Sequence, residues 1–202
     1  MINGCLRFGR RSALVSGLAW LAMPRAARAA ALYRIDQRFG TIGFAVRALG
    51  LFAIEGRFQA FSGELLLDIA RPEQSRIDVV VDTGTVHLPL AEQRDLLRSP
   101  PYLDAANHPT ARFVSETISV RSATQFLVTG PLTLRGATNP VTLEARLTDR
   151  WRDGSRHVEI ADFVVGGTLS RSAFGMVADR ILLSDRVRLD IRIRLEVAAD
   201  AR

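Results

Sequence analysis

From Val187 to Val197 the sequence reads VRLDIRIRLEV, in which apolar and charged residues alternate without interruption. Successive side chains of a β-strand point to opposite faces, so this alternation predicts a long strand with one apolar and one charged face. The segment from Ile77 to Asp82 follows a similar pattern, and another such run begins at Phe126 and passes Gly130. Strands of this kind are typical of an antiparallel sheet with one face in water.

Turn-forming residues separate these runs at spacings that suit hairpins and meanders. They are Gly50, Gly56, Gly63, Asn139-Pro140, Asp153-Gly154 and Gly166-Gly167. The pattern allows about eight strands, a number that closes a barrel wide enough for one small ligand. The sequence therefore predicts an all-β fold, an antiparallel β-barrel formed by a single domain.

One segment, from Leu90 to Leu103, departs from the strand pattern. Leu90, Leu96 and Leu97 recur at helical spacing among charged residues until Pro100-Pro101, where proline cannot continue a helix. We expect a short helix here, lying across one mouth of the barrel.

The first 29 residues have the composition of a secretory signal peptide. Three arginines precede an apolar stretch from Ser12 to Met23, and Ala27-Arg28-Ala29 resembles a cleavage site. Residues 1–29 are thus predicted to direct export to the periplasm, with residues 30–202 as the mature domain. The apolar stretch is shorter than the roughly 20 residues that span a bilayer, which argues against a permanent membrane anchor. Arg10-Arg11 leaves both the general secretory and the twin-arginine routes open.

Charge and cysteine usage exclude several functions for the mature domain. All 27 basic residues are arginine, and five of them precede Ala30, where no acidic residue occurs. The remaining 22 arginines face 21 acidic residues, which leaves a net charge of +1. Nucleic acid is therefore not an expected partner, because phosphate backbones require a strongly basic surface. The single cysteine, Cys5, lies in the signal segment, so the mature domain has neither disulfides nor thiolate chemistry.

Several short motifs follow one another along residues 33–197. They are Tyr33-x-Ile35-Asp36, Phe44-x-Val46, Gly56-x-Phe58-x-x-Phe61-Ser62-Gly63, Leu97-x-Ser99-x-x-Tyr102-Leu103-Asp104, Pro109-x-Ala111-x-Phe113-x-Ser115, Gly130-Pro131-Leu132-Thr133-Leu134-Arg135-Gly136, Ser170-Arg171-Ser172-Ala173-Phe174-Gly175-Met176 and Asp185-x-Val187. In this order they resemble the YceI-like family of exported bacterial proteins.

The resemblance implies a lipocalin-like barrel that binds a polyisoprenoid or other lipid ligand, without catalysis and without a cofactor. One departure stands out. Where the family usually has histidine and serine after the aspartate that matches Asp36, this chain has Phe39 and Gly40. Either the ligand differs or the pocket is more apolar at that end. Whether the domain forms a homodimer stays open.

The candidate ligand-binding residues are the inward apolar positions of the predicted strands and two residues of the Ser170–Met176 motif. They are Phe44, Val46, Phe58, Leu65, Leu67, Ile77, Val79, Phe113, Leu132, Leu134, Arg171 and Phe174. The apolar side chains also suit plain core packing, which a barrel needs with or without a ligand. As a set they favour an enclosed apolar cavity.

Arg171 has two interpretations. Its guanidinium group suits the phosphate or carboxylate of a lipid headgroup. Alternatively, it forms an ion pair with Asp36 or Asp185 and fixes the strand.

Two other classes of function stay open beside lipid binding. A barrel enzyme that isomerises or hydrolyses an apolar substrate needs two titratable groups pointing inward, and the sequence contains no nucleophile elbow. An envelope interaction module would use the helix from Leu90 as its contact surface. His87, His108 and His157 lack the spacing of a metal site, so no metal is expected.

Overall fold

The computed structural model describes residues 31–68 and 71–198. The predicted signal peptide, residues 1–29, lies outside the described residues. None of the helices within the described ranges has the length and hydrophobicity that crossing a membrane requires.

The described residues form twelve strands and one α-helix. The strands are β1 (Ala31–Asp36), β2 (Gly40–Ala48), β3 (Phe52–Phe58), β4 (Phe61–Leu67), β5 (Arg76–Asp82), β6 (Val86–His87), β7 (Thr110–Val114), β8 (Thr117–Ser122), β9 (Gln125–Leu134), β10 (Ala137–Asp153), β11 (Val158–Ser170) and β12 (Leu183–Ala198); the helix is α1 (Ala91–Arg98). The predicted all-β class is confirmed.

All strand pairs within the described residues are antiparallel, and they form one sheet that curls into a half-barrel. Its order is β1-β4-β5-β7-β9-β10-β11-β12-β2-β3-β6, with β8 paired to β9. Two features explain part of the excess over the expected eight strands. The strands β7 and β8 share one edge of β9, and β6 is a two-residue strand that pairs only with β3.

The register explains why the alternating sequence gives one apolar face. On β12, Val187 lies opposite Val46, Leu189 opposite Phe44, and Ile191 opposite Ile42, so apolar residues meet apolar residues across the strand pair. Several charged residues of β12 form ion pairs on the outer face. Arg194 lies opposite Asp162 on β11 and donates two hydrogen bonds to its carboxylate, at 2.7 and 2.9 Å. This pairing holds the pKa of Asp162 below its usual value.

The predicted helix is confirmed as α1. It begins after Leu90 and ends at Arg98, where the Ser99 N–H donates to Leu96 O just before Pro100-Pro101. Leu97 faces the interior of the half-barrel, whereas Leu90 and Leu96 are 60% and 52% exposed.

The buried side chains form two clusters. The larger surrounds Val86, Leu103, Phe174 and Met176, and the smaller surrounds Ile35, Ile42, Phe61, Leu65 and Leu195. Phe58 of β3 and Ile77 and Val81 of β5 are partly buried, pack against both clusters and border an internal cavity.

Candidate ligand-binding site

The concave face of the sheet encloses a cavity of about 260 Å³. Its walls are apolar side chains from β2, β3, β5, β7 and β9 to β12, together with Leu97 of α1 and residues that follow the helix. Only Tyr102 and Arg171 bring polar groups to the lining within the described residues. A void with such walls favours an apolar occupant, because the free energy falls when apolar surface is removed from water.

Nine of the twelve candidate residues line this cavity. They are Phe44, Val46, Phe58, Ile77, Val79, Phe113, Leu132, Leu134 and Arg171. Their contact with a ligand stays a prediction, since the structure fixes only their position.

The other three candidates do not line the cavity. Leu65 is 7% exposed and belongs to the smaller cluster, and Leu67 packs against the same cluster. Phe174 is 2% exposed and lies within the larger cluster, in the short 3-10 turn that follows β11. Leu65 and Phe174 are buried and Leu67 is partly buried, and all three pack in the hydrophobic clusters where we expected them to border the void.

Much of the cavity wall is formed by residues outside the predicted set. The apolar face of β12 supplies Val187, Leu189, Ile191 and Ile193, and β10 and β11 add further side chains. The signal for the β12 residues was present, because their alternation identifies the strand and its apolar face.

Phe44 and Gly56 are matched across the β2–β3 pair. They lie opposite each other in the register, and a Cβ atom at position 56 would collide with the Phe44 ring. The ring of Phe58 packs against that of Phe44 at 5.5 Å between centroids. The absence of a side chain at Gly56 therefore sets the position of the Phe44 ring at the cavity wall.

At the residues that depart from the YceI pattern, Phe39 is 43% exposed and does not line the cavity. A Cβ atom at Gly40 would lie 3.1 Å from Cζ of Phe61. Gly40 thus permits the close approach of Phe61 in the smaller cluster.

Arg171 is a buried cation held by backbone carbonyls. It is 4% exposed, and its Nε donates to Ser184 O at 3.0 Å. Nη1 donates to Met176 O at 2.8 Å and to Ala178 O at 2.7 Å, and Nη2 donates to Leu183 O at 3.1 Å. Four of the five N–H donors of a guanidinium group are thereby used.

Arg171 forms no direct ion pair with Asp185. The Asp185 carboxylate instead accepts hydrogen bonds from the Ser170 hydroxyl and the Ser172 N–H, which hold its pKa below its usual value, and the positive charge of Arg171 contributes to lowering that pKa. The side chain of Asp36, the other expected partner, lies outside the described residues. The carbonyl groups of residues 176–184 support the structural interpretation of Arg171, and a contact with a lipid headgroup stays a prediction.

Tyr102 provides the second polar group of the lining. Its side chain is buried, and its hydroxyl donates to a carboxylate oxygen of Asp179. Burial, followed by the hydrogen bond and the negative charge of Asp179, raises the pKa of Tyr102 to about 12. The neutral phenol ties the segment after α1 to the same loop that Arg171 holds.

We expect the replacement Tyr102→Phe to remove a phenol ionisation near pH 12 rather than near pH 10. The folded-state pKa is raised, so the stabilisation is complete below pH 10 and is lost as the pH rises toward 12. An ultraviolet titration of the wild type and the variant measures this directly, because the chain has only two tyrosines. Loss of an ionisation step near pH 10 would show that Tyr102 is exposed to solvent.

The histidines do not form a metal site in this structure. Within residues 31–68 and 71–198 no group of three or more His, Cys, Asp or Glu side chains is placed to hold a metal ion. Nε2 of His108 lies 3.9 Å from a carboxylate oxygen of Asp104, which precedes it by four residues.

Comparison with known proteins identifies the relatives of this fold. Residues 33–195 match the YceI-like domain. A UPF0312 protein of Vibrio vulnificus is 35% identical over 167 residues, covering 76% of this chain and 88% of that protein. Protein YceI of Salmonella arizonae is 32% identical over 167 residues, covering 80% and 85% of the two chains.

Two solved structures share the architecture. BcnA of Burkholderia cenocepacia superposes with a TM-score of 0.69 at 23% identity, covering 79% of this chain and 98% of that chain. A domain from Saccharophagus degradans, described as a polyisoprenoid binding domain implicated in plant cell wall breakdown, gives a TM-score of 0.56 at 15% identity, covering 83% and 99%. The domain match and the sequence identities together show that this chain belongs to the YceI-like family.

Proposed function

We propose that this protein binds or carries an apolar, lipid-like molecule of the polyisoprenoid or fatty-acyl type in the periplasm and performs no chemistry on it. The observation that carries the proposal is the cavity of about 260 Å³ with its almost wholly apolar wall. A solidly packed interior would have favoured the envelope interaction module instead. The solved domain from Saccharophagus degradans, which shares the fold and is described as polyisoprenoid-binding, supports the same ligand class.

The apolar wall of the cavity suits a lipid tail better than a charged headgroup. Its volume lies just below the range of about 300–1,000 Å³ that is typical of small-molecule pockets. Each buried methylene contributes about 0.8 kcal/mol, so a dozen buried carbons contribute roughly 10 kcal/mol before the costs of ordering. Chain length and branching would then select the ligand by shape.

The lining supports binding rather than catalysis. Within the described residues it includes no Asp, Glu or His, whereas general acid–base catalysis needs a pair of titratable groups beside the substrate. The Tyr102 hydroxyl donates to Asp179, and Arg171 uses four of its donors on carbonyl oxygens. Both polar groups of the wall are thus engaged in holding the loop of residues 176–184.

The periplasmic location rests on the sequence of residues 1–29. An arginine-rich start, a short apolar stretch and a small-residue site are the features by which exported proteins are sorted. Determining the N-terminus of the protein recovered from a periplasmic fraction tests this part of the proposal separately.

Native mass spectrometry of the protein from a periplasmic fraction tests the binding itself. Comparison with the denatured mass is expected to show a discrete, non-covalent adduct with the mass of a lipid. Solvent extraction of the same sample identifies its class. A protein that carries no adduct and takes up neither polyprenyl nor fatty-acyl probes would contradict the proposed function.

A further inference from the structure

Five of the most exposed large apolar side chains lie on two neighbouring segments. The turn between β2 and β3 carries Leu49, Leu51 and Phe52, which are 61%, 78% and 64% exposed. The loop before β12 carries Ile181 and Leu182, which are 96% and 51% exposed. The Leu49 N–H donates to Leu182 O at 2.7 Å, so the two segments are joined. We call these five residues the apolar tip.

The turn within the apolar tip has a bulky apolar residue, Leu49, at a position with a positive φ angle. Leu49 and Gly50 both have positive φ angles, 51° and 71°, and the Leu51 N–H donates to Ala48 O. Glycine, asparagine or aspartate suits such a position, whereas a bulky apolar residue is unfavourable there. Leu49 therefore combines an unfavourable backbone conformation with an exposed apolar side chain. The folded domain by itself gains from neither.

Three arginines and two carboxylates lie beside the apolar tip. Arg47, Arg180 and Arg186 are exposed beside it, and none of them forms an ion pair with a carboxylate of the described residues. The neighbouring Asp179 and Asp185 are engaged by neutral donors, the Tyr102 hydroxyl, the Ser170 hydroxyl and the Ser172 N–H. The three arginines therefore exceed the two carboxylates by one positive charge. An exposed apolar surface with a cationic rim matches the interface of an anionic lipid bilayer.

The apolar tip is continuous with the cavity wall. Leu183 follows Leu182 in sequence, lies opposite Ala48 in the register and lines the cavity, as does Val46 on β2. Arg171 and Tyr102, the two polar groups of the lining, hold the loop that carries Ile181 and Leu182. A surface that binds the apolar tip therefore lies next to one end of the cavity.

We propose that the apolar tip inserts into the surface of an anionic phospholipid bilayer and places this end of the cavity against the membrane. The docking itself depends only on the exposed side chains and the arginines. Its use, the exchange of an apolar ligand between bilayer and cavity, rests on the proposed function.

Vesicle flotation tests the docking. The full-length gene is expressed, and the exported protein is mixed with vesicles of equimolar phosphatidylcholine and phosphatidylglycerol or of phosphatidylcholine alone. We expect the wild type to bind the anionic vesicles, to bind them less as NaCl is raised, and to bind neutral vesicles weakly. Ile181→Asp should lower the partition coefficient about tenfold or more, since it replaces an inserted side chain with an anion.

Val120→Asp is the matched control. Val120 is also an exposed apolar residue, at 48%. It lies on β8 opposite Phe126, near the start of β9, whereas Leu134 lies at the end of that strand. This variant should bind vesicles like the wild type. Equal binding by Ile181→Asp and the wild type, or no binding of the wild type to anionic vesicles, would overturn the docking proposal.

Two further measurements separate the remaining outcomes. Sedimentation of the wild type and Ile181→Asp without vesicles shows whether the apolar tip instead joins two copies of the chain; a dimer that Ile181→Asp dissociates would overturn the bilayer proposal. Uptake of a fatty-acyl probe in the absence of vesicles should be the same for both proteins. Loss of vesicle binding with unchanged uptake supports docking as a separate property, whereas absence of uptake in both would contradict the proposed function alone.

Discussion

Replacing Arg171 with methionine is expected to lower the free energy of unfolding by about 3–5 kcal/mol. Arg171 is 4% exposed, and its guanidinium group donates to the carbonyl oxygens of Met176, Ala178, Leu183 and Ser184. Methionine keeps much of the side-chain volume but leaves these acceptors without their charged donor. Urea denaturation, monitored by circular dichroism, measures the change in the free energy of unfolding.

Arg135 provides the control for this replacement. It also joins two distant backbone carbonyls, Gly175 O and Pro100 O, but it is only partly buried. Arg135→Met should therefore cost about 1 kcal/mol, because water can replace the lost hydrogen bonds. A loss at Arg171 no larger than at Arg135 would show that the carbonyls of residues 176–184 do not depend on the buried cation.

The course of the long strands could be predicted from sequence because alternation is a local property. The pattern from Val187 to Val197 identifies β12 and its inner face, and the register against β2 brings apolar side chains together as the pattern requires. The number of strands could not be predicted in the same way. Strands as short as β6 show no alternation, and the break between β7 and β8 depends on how both meet the edge of β9.

Alternation also cannot distinguish a side chain that borders the void from one that packs in solid core. Leu65 and Ile77 lie opposite each other on β4 and β5, and both are inward apolar residues, yet only Ile77 lines the cavity. The difference arises from the curl of the sheet, which places Leu65 of β4 in one cluster with Ile35 of β1 and Leu195 of β12. Curvature depends on contacts between distant strands and leaves no local mark in the sequence.

The polar contacts of the site were the hardest to predict. An arginine near two aspartates suggests an ion pair, but every residue has a carbonyl group, and the partners of Arg171 carry no signature in their side chains. Tyr102 and Asp179 are 77 residues apart, and nothing between them indicates that they meet. Such contacts are products of tertiary structure.

Replacing Leu132 with aspartate is expected to lower the affinity for an apolar ligand by about 100-fold or more. Leu132 lies on β9 and borders the cavity, where an ionised carboxylate would meet neither water nor a hydrogen-bond donor once a lipid tail is bound. Uptake of a fluorescent fatty-acyl probe by the wild type and the variant gives the ratio of the two affinities. Circular dichroism establishes that the variant is folded at the temperature of the assay.

Thr133, the next residue on β9, separates an effect on the cavity from an effect on the strand. It is exposed on the outer face, where its hydroxyl meets that of Thr138 at 2.9 Å, so Thr133→Asp adds the same charge one residue away but outside the barrel. Binding by this variant should stay within about twofold of the wild type. Leu132→Trp provides a second test without a charge, since the larger side chain occupies part of the 260 Å³ and should weaken long-chain ligands more than short ones. Unchanged uptake by both Leu132 variants would place the ligand outside this cavity.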